Sequence, residues 1–87
     1  MLGYKEQLDA AAELQSFWKA VLPETEVPPL STFLLWNRYS QEVLERGIVR
    51  AARKFAKMKA TATPMTSEDA ARYCSAVLRD EARERAQ

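Results

Sequence analysis

The chain reads as an all-α protein, a small bundle of about four helices. Three observations carry this. The 87 residues include only two Gly and four Pro among abundant Ala, Leu, Glu, Arg and Lys, a composition that favours helix. Four stretches place apolar residues at three- and four-residue spacing. The gaps between them hold the prolines and the Ser and Thr residues that stop and cap helices. The length suits a single domain over residues 1–87. Apolar residues make up 47% of it, two Trp and three Phe among them, enough for a modest core.

The first helix is expected near 4–22. Tyr4, Leu8, Ala11, Leu14, Trp18, Val21 and Leu22 share a broad apolar face, while Lys5, Glu6, Asp9, Glu13 and Lys19 point away. Phe17 and Trp18 read as core anchors. Pro23 ends the helix and forces Leu22 out of helical geometry. PETEVPP (Pro23 to Pro29) is a stiff loop whose Glu24 and Glu26 are expected to be solvated.

Ser31 is placed to cap a second helix near 31–38. Its run Phe33, Leu34, Leu35, Trp36 is too dense for one face, which calls for burial on several sides or a surface shared with a partner.

A third helix is expected near 41–60, capped by Ser40, with Glu42 suiting the dipole in its first turn. Leu44, Ile48, Ala51, Ala52, Phe55 and Met58 form one side; Arg46, Arg50, Arg53 and Lys57 form the other. Six cations lie between Arg46 and Lys59, Lys54 among them, with no carboxylate interposed. Gly47 inside this helix costs on the order of 1 kcal/mol relative to Ala, so a close helix contact is expected there.

TATPMT (Thr61 to Thr66) breaks the pattern, and Thr66 with Asp69 resembles a capping box. A fourth helix is expected near 67–85. Ala70, Tyr73, Cys74, Val77 and Leu78 form its stripe, followed by a mixed-charge end that frays at the terminus.

Catalytic sets are missing from the sequence. Without histidine the commonest general base is absent. One Cys and no His build neither a zinc site nor a Cys–His pair. The only glycines, Gly3 and Gly47, make no phosphate loop. Asp80 and Glu81 diverge by about 100° on a helix. The expected protein is therefore not an enzyme and carries no cofactor or metal. A lone Cys74 admits no intrachain disulfide and fits a reducing, cytoplasmic setting. No apolar run approaches the ~18 residues of a membrane span, and MLGYKEQLDAAAELQ lacks a signal peptide's apolar centre.

Net charge is only +1, but it is divided between an acidic first helix and a basic third one. The basic face has three readings. It can neutralise nucleic-acid phosphates, with Tyr39 near enough to stack on unpaired bases. It can dock on an acidic protein surface or an acidic sister subunit. Or it can be a solvated face. The tight turn Tyr39–Ser40 also permits a helix-turn-helix regulator, expected to dimerise on duplex half-sites.

From Phe17 to about Arg83 the chain resembles the C-terminal domain of DnaD-like replication proteins and phage replisome organisers. The resemblance rests on FWKAVL, the short helix LSTFLLW, the long-helix start SQEVLERGIVRAARKF (Ser40 to Phe55), and Tyr73 followed by Val77 and Leu78. The pattern's final Trp falls on Glu81, and Met58 to Asp69 is longer than the pattern asks. The resemblance implies a non-enzymatic accessory that remodels origin DNA or loads the replicative helicase. Full members carry an N-terminal winged-helix domain, for which 87 residues have no room. Candidate contacts with DNA, single-stranded DNA included, or with a replication protein are Arg46, Arg50, Arg53, Lys54 and Lys57. Tyr73 is carried over from the motif. The alternative is a small phage or mobile-element protein that binds a host protein, for which an exposed Trp36 is the expected contact.

Overall fold

The computed structural model describes residues 3–86, with side chains to residue 84. It consists of α1 (Tyr4–Val21), α2 (Leu30–Trp36), α3 (Gln41–Met58) and α4 (Ser67–Ala86). No strand occurs among the described residues, so the all-α bundle expected from the sequence stands. Helix α4 continues to Ala86, one residue past its expected end, and what remains of the expected terminal fraying lies outside the described residues.

Most helix ends follow the local chemistry. Ser40 accepts a hydrogen bond from the Val43 amide at 3.3 Å. Thr66 and Asp69 form a reciprocal box: the Asp69 amide donates to Thr66 Oγ1 at 3.0 Å and the Thr66 amide donates to Asp69 Oδ2 at 3.2 Å. Leu22 leaves helical geometry ahead of Pro23 and is itself buried.

Ser31 does not cap α2. The helix starts one residue earlier from Pro29, whose φ of −65° is already set by its ring, and Ser31 falls in the first turn. The same helix ends at Trp36 rather than Arg38. The Asn37 amide donates to the Phe33 and Leu34 carbonyls, and its side-chain Nδ2 reaches the Gln7 carbonyl of α1 at 2.9 Å. Helix α3 ends at Met58, whose carbonyl accepts from both the amide and the hydroxyl of Thr61.

An aromatic trio forms the heart of the core. Trp18 meets Phe33 edge-on at 6.2 Å, Phe33 meets Trp36 edge-on at 5.3 Å, and the two tryptophans lie 6.0 Å apart. Such pairs add about 0.5–1.5 kcal/mol each beyond their area. Both indole N–H groups are satisfied, Trp18 by Thr25 Oγ1 at 2.9 Å and Trp36 by Ser75 Oγ at 3.2 Å. Leu14, Leu22, Val43, Leu44, Ile48, Cys74, Val77 and Leu78 are also buried, with Ala11, Ala51 and Ala70. Phe17, expected as a core anchor beside Trp18, is only half-buried. Tyr4, assigned to the apolar face, is 73% exposed.

Packing is uneven. Helix α3 lies along α4 and α1 along α2, whereas α1 touches α3 only lightly. Gly47 is what lets α3 and α4 approach: a Cβ there would sit 2.6 Å from Leu78 Cδ2 and 3.7 Å from Cys74 Sγ. The loop between α1 and α2 is also fastened to the second half of the chain at two points. The Glu26 amide donates to Ser67 Oγ at 2.8 Å, so this hydroxyl fastens the loop to the start of α4. Glu24, expected to be solvated, pairs with Lys59. The result is a plate of 45 × 31 × 16 Å.

Candidate functional site

The basic face lies along α3, where helical spacing sets Arg46, Arg50, Arg53 and Lys57 in one exposed ridge. The opposite side of the helix is anchored by Leu44, Gly47, Ile48 and Ala51, all buried. That anchoring fixes the ridge toward solvent.

A shallow depression runs between the C-terminal half of this ridge and α4. It is lined by Arg50, Arg53, Lys54, Lys57 and Tyr73. Five of the six expected contact residues therefore converge on one place. Lys54 is half-buried with its Nζ 6.0 Å from the centre of the Tyr73 ring, a cation–π distance. Arg53 and Lys57 are exposed and have no carboxylate partner among the described residues.

The N-terminal half differs. Although no acid interrupts the cations in sequence, the fold brings one across. Glu81 Oε1 lies 3.0 Å from Arg50 Nη1, and Glu81 Oε2 lies 3.9 Å from Arg46 Nη1. Arg46 is also 3.4 Å from Glu42, one turn before it. Arg46 thus stands apart from the depression and is held by acids on two sides. The ridge is not uniformly cationic.

Glu81 was visible in the sequence as a carboxylate on the stripe Tyr73–Val77, one turn further on. A charge at a mostly covered position needs a cation partner. That signal points to a basic residue on the neighbouring helix, although not to which one. On the other flank of the ridge, Phe17 of α1 joins Glu45, Val49 and the three arginines around a second, more apolar depression.

Trp36, the expected contact for a host protein, is 5% exposed and belongs to the core. A partner surface centred on it is set aside. Leu35 is instead 71% exposed: the dense run of α2 buries Phe33 and Trp36 and turns Leu35 outward. Tyr39 is half-buried, with the Arg38 guanidinium 5.0 Å from its ring centre.

Among the described residues no group of three His, Cys, Asp or Glu side chains could hold a metal ion. Likewise, no helix is long and apolar enough to cross a membrane. Comparison with protein-family models, curated proteins and solved structures returns no match.

Proposed function

We propose that the protein is a non-enzymatic helical interaction module that binds DNA phosphates through the C-terminal half of the α3 ridge. The observation that carries this is the depression where Arg53, Lys54 and Lys57 meet Tyr73, with Arg53 and Lys57 unopposed by carboxylates among the described residues and Arg50, which also lines it, engaged by Glu81. Lys and Arg on such a face release counterions from the phosphate backbone. The DnaD-like resemblance supports placing this activity in replication, as an accessory to origin remodelling or helicase loading in the cytoplasm.

A protein partner is the second reading, favoured by Leu35 standing exposed on α2. A helix-turn-helix mode is less favoured. Such proteins present the N-terminal residues of the recognition helix to the bases, and the first turns of α3 expose Glu42 and Glu45.

The test is titration of labelled single- and double-stranded DNA by fluorescence anisotropy, at about 50 and about 200 mM salt. Binding should weaken steeply with salt. Arg53→Glu with Lys57→Glu should weaken it by on the order of tenfold or more at the lower salt, with the circular dichroism spectrum unchanged. Equal affinity in the double variant sinks the assignment. Arg50→Glu is a poorer probe, because it would set a second carboxylate against Glu81 and disturb the α3–α4 contact.

A further inference from the structure

We propose that Glu81 occupies the anion seat formed by Arg46 and Arg50 and withholds both arginines from phosphate. The inference rests on reading the α3 ridge as a phosphate-binding face, and it assigns the residue that limits that face.

The geometry is that of an internal counter-ion. Glu81 reaches over from α4 with its side chain only 12% exposed, while Arg46 and Arg50 remain 57% and 50% exposed. Its two oxygens address two different guanidinium groups, at 3.0 and 3.9 Å. A phosphate entering this seat would present the same kind of charged acceptors to the same donors. Glu42, 3.4 Å from Arg46, adds a second acid at that end. The ridge is therefore divided: an N-terminal half whose two cations face two carboxylates, and a C-terminal half of Arg53, Lys54 and Lys57 open to a polyanion. In the wild-type protein the phosphate contacts fall on the open half.

A purely structural tie between α3 and α4 would use the same contacts, so the deciding readout is the salt dependence of DNA binding rather than stability. Glu81→Gln keeps the side-chain volume and an acceptor for Arg50 but removes the charge. With Arg50 released and Arg46 still facing Glu42, the slope of log K against log salt should steepen by at least one contact, about 0.7 on a labelled oligothymidine and about 0.9 on a duplex. The triple variant Arg46→Gln, Arg50→Gln, Glu81→Gln should return to the wild-type slope, since it removes two cations that the wild type does not use. It also carries no unpaired buried charge, and so tests the proposal even if Glu81→Gln alone melts early.

An unchanged slope in Glu81→Gln overturns the proposal, as does a triple variant shallower than wild type. In either case, loss of binding in Arg53→Glu with Lys57→Glu would leave the DNA reading standing. If no variant and no wild-type protein binds DNA at low salt, both the reading and the inference fall.

Discussion

Cys74 is fully buried, with its Sγ facing Gly47 across the α3–α4 contact. Burial pushes its thiol up from an ordinary 9.0 to about 12. Between those values the unfolded chain loses this proton while the folded chain keeps it. The unfolded state then binds fewer protons, and stability falls as pH rises through the window; below pH 9 the thiol contributes no slope. Urea unfolding at about pH 8 and about pH 10 should show the wild type losing about 1 kcal/mol more than Cys74→Ala. Equal losses would mean that the thiol is not sealed in solution. The residue scale is also where sequence reading reached furthest and then stopped. Trp18, Cys74 and Ile48 declare themselves by spacing. The partners of Glu24 and Glu81 do not, because Lys59 and Arg50 lie 35 and 31 residues away, and no periodicity along one helix reports what crosses from another.

Among the elements, α3 has the clearest logic. Its cap at Ser40, its glycine and its two opposed faces were all readable, since each depends on neighbours within a turn or two. Helix α2 was read less well. Pro28 and Pro29 preset the backbone, so the start needs no hydroxyl. Its four consecutive apolar residues carry no phase that separates Leu35 from Trp36. The α3–α4 contact makes a prediction that runs against helix propensity. At an exposed helical glycine, alanine stabilises by roughly 1 kcal/mol. At Gly47 the new methyl would meet Leu78 Cδ2 at 2.6 Å and Cγ at 3.1 Å, and Leu78 is fully buried, so its side chain would have to shift within the packed core. Overpacking costs of about 1–3 kcal/mol outweigh the propensity gain. Gly47→Ala should therefore lower stability by about 1 kcal/mol in denaturant titration. A rise in the midpoint would show that Leu78 finds another rotamer.

At the scale of the whole molecule, charge and shape act together. Thirteen Lys and Arg nearly cancel twelve Asp and Glu in the net charge of +1, so long-range attraction to a polyanion is weak and contact is left to the local potential of the open half-ridge. Which helices would pair was not legible from the sequence, because an apolar face shows that a helix packs and not which neighbour it packs against. The observed arrangement joins α1 to α2 through the aromatic trio and α3 to α4 through Gly47, with light contact between α1 and α3.

The light contact between α1 and α3 leaves a seam across a plate only 16 Å thick. The weak line between α1 and α3 makes that seam a natural place to part. Breathing should release the α1–α2 hairpin before the α3–α4 pair, so amide hydrogen exchange should divide the chain into two cooperative units. Amides of α3 from Gly47 to Ala51 should exchange at least about tenfold more slowly than those of α1 from Ala11 to Trp18. Matched rates would mean that the plate opens in one step. If the units do separate, the opened form keeps its basic ridge intact while baring Trp18 and Phe33, leaving a sticky apolar edge beside an unchanged cationic one.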